Sequence, residues 1–307
     1  MNAAQSEILR SLARSLDPVA FARQFIEPDD WQIDLLRSDS PQIILNNARQ
    51  TGKSSIVAIL ALFHALNNDS SLVLIYSASL RQAQEVFKKV VDMYRELDRP
   101  LPSTTETSLT LQLHNKSRVV SLPSTEKTTR GFSSPSLILV DEASRVSDDI
   151  FYGSISPMRA VSQPESKIIL LSTPAGRRGF FYKIWTDGGS SWKRITIKAD
   201  QCPRISKEWL EEQRRALGER YYNQEFCSSF EENDAALFSH DLIFASLRSD
   251  LKEWDLDIDD VDTPEEDDVE IIEEHETKAE DKERAEAGNL RERERLKTIM
   301  EWELGEF

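Results

Sequence analysis

Eight consecutive residues, Asn47, Ala48, Arg49, Gln50, Thr51, Gly52, Lys53 and Ser54, constrain this chain more than any other stretch. They follow the apolar run 43–45 and precede a helix-like pattern over 54–66, so a strand stops at a tight loop and turns into a helix. A junction of that kind presents free backbone N–H groups and the positive end of a helix dipole, which together cradle an anion. The spacing follows G-x-x-x-x-G-K-[ST], in which the lysine reaches the β- and γ-phosphates of a nucleotide and the hydroxyl ligates Mg²⁺. Asn47 is the departure, since it stands where the first glycine is expected. The bland alternative is a polar turn ahead of an amphipathic helix.

Two stretches downstream favour the phosphate reading. Residues 137–140 are wholly apolar, as buried parallel strands are, and end in Asp141 and Glu142. Adjacent carboxylates at the end of a buried strand are costly unless something positive neutralises them. Mg²⁺ held by Ser54 and Asp141 would do so, leaving Glu142 to polarise the water that attacks the γ-phosphate. A third apolar strand, 167–171, runs into Ser172, Thr173 and Pro174, whose small hydroxyls can sense the γ-phosphate while the proline stops the strand. Taken in order, these motifs describe a P-loop NTPase of the RecA-like, additional-strand, catalytic-glutamate type: an α/β fold with a parallel sheet flanked by helices and its site at the carboxyl ends of the strands.

Arg49 and Gln50 inside the loop, Asp141, Glu142 and Ala143, and Ser172, Thr173 and Pro174 together resemble the ATPase domain of the large terminase subunit of tailed double-stranded DNA viruses, over about residues 20–245. The resemblance implies an ATP-hydrolysing motor, with ATP and Mg²⁺ at residues 47–54, that drives double-stranded DNA into a procapsid in the host cytoplasm. It implies a homo-oligomeric ring, with the capsid portal and the small terminase subunit as partners. By the same resemblance Gln32 contacts the adenine edge, unless it is a surface residue of a helix capped by Asp29 or Asp30. Residues 77–82 either touch a nucleic-acid backbone or merely cap a helix. Either Arg49 or Arg130 is the arginine that stabilises the transition state, Arg49 more naturally within its own site and Arg130 from a neighbouring subunit. Arg130 is otherwise a surface residue.

Charge divides the chain. Residues 1–249 hold 30 acids and 30 bases, whereas 250–307 hold 24 acids and 8 bases, so the whole net charge of −16 lies in the tail. Acidity of the whole therefore does not exclude nucleic-acid binding by the body. The expected division is an ATPase domain over 1–248 and an acidic tail over 249–307, a solvated linker followed by an exposed helix, with too little chain to build the nuclease that large terminases carry. Nuclease activity is not expected of this chain alone. Cys202 and Cys227 match no metal-ligand spacing and read as free thiols, and no apolar run approaches the ~20 residues of a membrane span. Two other functions fit the motifs: a helicase-like or remodelling ATPase, which ordinarily carries a second motor domain, and a non-catalytic nucleotide-binding regulator.

Overall fold

The computed structural model of the chain describes residues 16–125, 131–160 and 165–231. Residues 3–16, whose apolar Ile8, Leu9, Leu12 and Leu16 follow a helical spacing, lie outside the described residues but for Leu16, and Arg130 and the acidic tail lie outside them entirely. Two short helices, α1 (Pro18–Ala22) and α2 (Asp30–Leu36), lead to β1 (Gln42–Asn47) and to α3 (Lys53–Asn67). Then come β2 (Leu72–Ser77), α4 (Leu80–Glu96), β3 (Ser103–Glu106), β4 (Thr110–Leu113), β5 (Arg118–Pro123) and β6 (Leu137–Asp141). After a helical turn, α5 (Asp148–Ile150), the chain continues through β7 (Lys167–Ser172), α6 (Gly179–Asp187), β8 (Lys193–Ile197), α7 (Lys207–Leu217) and α8 (Glu219–Phe226).

The strands form one sheet in the order β3-β4-β5-β2-β6-β7-β1-β8. From β5 to β8 every pairing is parallel, and β3 and β4 add an antiparallel edge. β7 lies between β1 and β6, which is the inserted strand that the motif order implied. Because both faces are covered, β2 and β6 are buried along their whole length and are apolar throughout but for Ser77 and Asp141 at their ends. α3 is nearly surrounded, with every residue from 56 to 62 buried, whereas α4 buries only the stripe of Ala83, Val86, Phe87, Val90, Val91 and Tyr94. On the opposite face Phe151 stacks on Phe180, ring centroids 3.9 Å apart, over Ile138, Val140 and Leu170. Each such fully buried side chain contributes about 1.5–3 kcal/mol. No helix among the described residues is long and apolar enough to cross a membrane.

The chain differs from its sequence pattern in two places. The residue pattern over 147–161 is helical apart from a break at Ser156 and Pro157, but α5 loosens at once into a π-turn (Phe151–Ile155) and a 3-10 turn (Ser156–Arg159). Gly153 weakens the helix there and Pro157 cannot donate to it. The residue pattern of 109–113 and 118–122 suggests a hairpin turning at Asn115 and Lys116; it forms, with Leu111 opposite Val119, but carries an additional strand, β3, whose polar residues give no alternating signal.

Candidate active site

The loop that joins β1 to α3 is shaped by partners distant in sequence. Ala48 N donates to Ile197 O (2.8 Å) at the end of β8, and Arg49 N donates to Glu225 O (2.9 Å) in α8. Asn46 Nδ2 donates to Ser228 O (2.7 Å), and the Ser228 hydroxyl donates to Ile197 O (2.8 Å). Asn47, in the place of the expected glycine, is wholly buried at the strand's end. Gly52 is needed as glycine: its φ of 94° is left-handed, and a Cβ there would meet Gln32 Nε2 at 3.0 Å. It precedes the first turn of α3, whose free N–H groups face the loop.

Lys53, only 7% exposed, donates from Nζ to Ala48 O (3.0 Å) and to Thr173 Oγ1 (3.1 Å). Ser54 Oγ donates to Asp141 Oδ2 (3.2 Å), and Asp141 Oδ1 accepts from Glu142 N (3.1 Å). Glu142 itself adopts a left-handed backbone conformation (φ 53°, ψ 43°), which costs a non-glycine residue on the order of 1 kcal/mol or more. Arg145 Nε stands 4.0 Å from Glu142 Oε2. Ser144 then binds the neighbouring strand: its N–H donates to Ser172 Oγ (3.1 Å) and its hydroxyl to Thr173 O (2.8 Å). Hydrogen bonds therefore run from Lys53 to Thr173 and from Thr173 to Ser144, two residues along the chain from Glu142.

Burial works against both charges at the centre. It pushes the Asp141 carboxyl up to about 6, helped by the charge of Glu142 and opposed by Lys53 and the Ser54 hydroxyl. It lowers the Lys53 ammonium as well, against the pull of Glu142 and Asp141. A hydroxyl and a desolvated carboxylate side by side suit a hard divalent cation such as Mg²⁺, which keeps several waters and takes one or two carboxylates with substrate phosphates. A cavity of about 760 Å³ opens over this centre, lined by residues 49–55 with Gln82, Glu142 and Arg145. Beside it, and sharing Gly52 and Ser55, lies a second of about 940 Å³ between residues 26–34, 195–197 and 201–204.

The model of the N-terminal region of the T4-like type of terminase large subunit matches residues 44–244. The chain belongs to this terminase family. It is 22% identical over 255 residues to the terminase large subunit of Thermus phage G20c, covering 69% of this chain and 50% of that one. The chain thus spans about half the length of the curated relatives it matches. In fold it is similar to the large terminase ATPase domain of Thermus phage P74-26 (TM-score 0.58, 20% identity, 66% of this chain and 94% of that one). It is also similar to the large terminase of a thermophilic bacteriophage in complex with ADP (TM-score 0.54, 12% identity, 66% of this chain and 54% of that one).

Within this terminase fold the motif residues gather at one end of the sheet, but three expected residues need separate mention. Gln32 is buried rather than on the surface, and its Oε1 accepts from Asp29 N (2.9 Å), closing the N-terminus of α2. Its amide nitrogen faces Gly52, so it lines the larger cavity with one end already engaged. Arg49 lines the smaller cavity while its guanidinium pairs with Glu225. Arg130 lies outside the described residues. Of residues 77–82, Ser79 caps α4 by accepting from Gln82 N (3.3 Å), and Gln82 lines the smaller cavity.

Sequence reading passed over two residues. Arg204 forks onto Asp29 (2.8 and 2.7 Å) and donates to Thr51 O (3.2 Å), joining α2 and the segment after β8 to the loop. Nothing in its local sequence marks it, since both partners are far from it in the chain. Ser144 follows Asp141, Glu142 and Ala143 directly, and its position against β7 could have been read only from the strand order.

Proposed function

We propose that this chain is an ATP-hydrolysing motor domain that translocates double-stranded viral DNA into a procapsid. The observation that carries the reading is the convergence of Lys53, Ser54 and Glu142 at one cavity, with Asp141 bonded to Ser54 and Lys53 bonded to Thr173. The phosphates of ATP enter the smaller cavity and lie on the N–H groups of residues 52–54, with Lys53 turning its ammonium from Ala48 O to the β- and γ-phosphates. Ser54 and Asp141 hold Mg²⁺, which when bound neutralises phosphate charge. Glu142 accepts a proton from the attacking water, and its constrained backbone limits where its carboxylate can reach. The purine and ribose occupy the larger cavity, with Gln32 and Arg204 on its wall. Arg49, or Arg130 from a neighbouring subunit, offsets the charge that develops on the γ-phosphoryl group. Loss of that group changes the partners of Lys53, and Thr173 and Ser144 pass the change to the strand that ends in Ser172, Thr173 and Pro174.

Membership of the terminase family supports DNA and a procapsid as the objects of this motor, with a homo-oligomeric ring, the capsid portal and the small terminase subunit as its partners. The complex of the thermophilic-phage relative with ADP supports an adenine nucleotide. The test is ATP turnover by the full chain with and without duplex DNA and portal. The expected result is Mg²⁺-dependent hydrolysis stimulated by DNA and abolished in Glu142→Gln. Nucleotide binding without turnover under all these conditions would favour a regulator, and stimulation by single strands alone would favour a helicase-like motor.

A further inference from the structure

Two amide side chains line the larger cavity, and each has its oxygen bound by a backbone N–H. Gln32 Oε1 accepts from Asp29 N (2.9 Å), and Gln201 Oε1 accepts from Lys198 N (2.8 Å). A backbone N–H can only donate, so each amide turns its oxygen toward that group and its NH₂ away from it. Among the described residues neither Nε2 has a protein partner. Gln32 is buried, and a Cβ on Gly52 would meet its Nε2 at 3.0 Å, so the side chain has little room to turn over. Turning would also set NH₂ against N–H and undo the closure of the N-terminus of α2. The Asp29 carboxylate is closed off as well, because Arg204 holds both its oxygens (2.8 and 2.7 Å). The lining side chains fixed by hydrogen bonds therefore offer a bound base donors, from Gln32, Gln201 and Arg204. The other lining carboxylates, Glu27, Asp30 and Asp34, are exposed.

We infer that the base site accepts guanine as readily as adenine, and that Gln32 reads the N7 acceptor common to both purines and not the N6 amino group of adenine. This rests on the reading of the larger cavity as the site of the base. To read adenine through N6 and N7 together, an amide must give its oxygen to N6 and its nitrogen to N7. With the Gln32 oxygen on Asp29 N, only the donor remains. N7 accepts from it in either purine, while the second hydrogen of the NH₂ group points at O6 in guanine and at another NH₂ group in adenine. Strong discrimination arises where the wrong substrate leaves a buried polar group unpaired, and guanine leaves none of these donors worse served than adenine does. Lys53, Ser54 and Glu142 line the other cavity, so the phosphate chemistry is the same for either base. GTP is therefore a second substrate of this site.

The experiment measures binding of ADP, GDP and CDP, with Mg²⁺, to the full chain by calorimetry. GDP should bind no more than about threefold more weakly than ADP, and CDP, which has no N7, at least about tenfold more weakly. The 7-deaza forms of ADP and GDP should each lose about fivefold or more against their parents. Gln32→Glu keeps one oxygen on Asp29 N and turns an acceptor to the base, so it should favour ADP over GDP by about tenfold or more, with thermal melts confirming that it is folded. A wild-type preference for ADP beyond about threefold overturns the inference and leaves the reading of the site as an ATP site intact. Equal binding of CDP and the purines, or of the 7-deaza forms and their parents, overturns it too, as does unshifted selectivity in folded Gln32→Glu. If that variant does not fold, the wild-type comparisons decide alone. A chain that binds no diphosphate refutes the reading of the site, and this inference falls with it.

Discussion

Lys53 Nζ donates to Thr173 Oγ1 at 3.1 Å, which ties the phosphate loop directly to the end of the strand that lies between β1 and β6. A lysine whose partners are a loop carbonyl and a hydroxyl, with burial lowering its pKa, is poised to exchange one of them for phosphate. Thr173→Val keeps the shape and removes the hydroxyl. Binding of an ATP analogue should change by less than about threefold, since Lys53 gains the phosphates in either case. DNA-stimulated turnover should fall by about tenfold or more, through loss of the link from Lys53 to Thr173 and Ser144. Equal losses in binding and turnover would place Thr173 in ground-state binding alone.

Glu142→Gln and Lys53→Ala should fail differently. The first leaves Lys53, Ser54 and Asp141 in place, so nucleotide binding persists while turnover falls by at least roughly a hundredfold. The second removes a charge that faces the phosphates in the ground state, so affinity and rate both drop. Calorimetry beside a phosphate-release assay separates the two patterns.

Asp141 has a stability consequence with a definite sign. Its folded pKa, about 6, lies above the ordinary value of 3.8, so the unfolded chain binds fewer protons between those limits and the fold loses stability as pH rises through them. Asp141→Asn should therefore stabilise the ligand-free chain at pH 7.5, by on the order of 2–3 kcal/mol, and the advantage should vanish below about pH 4. The same variant should lose hydrolysis. Denaturant midpoints for the two chains at pH 7.5 and pH 4 measure this, and a midpoint difference independent of pH would count against it.

If Arg130 acts between subunits, specific activity should rise with protein concentration. Mixing Arg130→Ala chains with Glu142→Gln chains should then restore turnover, because some sites combine an intact glutamate with a neighbour's intact arginine. Rates independent of concentration, with no rescue on mixing, would leave Arg130 with no role in the site.

Much of the centre was legible in the sequence because each part rests on contiguous residues. The loop at 47–54 needs only a strand before it and a helix after it, and the Asp141 pair announces itself by the cost of two carboxylates closing an apolar run. Residues whose roles come from tertiary pairing gave no such signal. Arg204 is held by Asp29 and Thr51, and Glu225 by Arg49, across separations that no periodicity records. Gln32 was readable as part of a capped helix, but its burial against Gly52 follows from how α2 meets the loop. The edge strand β3 was hidden because Ser103, Thr104, Thr105 and Glu106 have no apolar alternation to mark a half-buried face.

The uneven burial around the loop sets where this molecule can yield. On one side α3 is seated in the main core through seven consecutive buried residues, 56–62. On the other, α7 and α8 meet the loop through a small core of Ala48, Ala199, Leu210 and Phe226, with a few hydrogen bonds around it. Close-packed interiors resist deformation, so the large core behaves as an anvil and the small one as a spring. A displacement of the loop is therefore taken up first on the softer side, at α7 and α8.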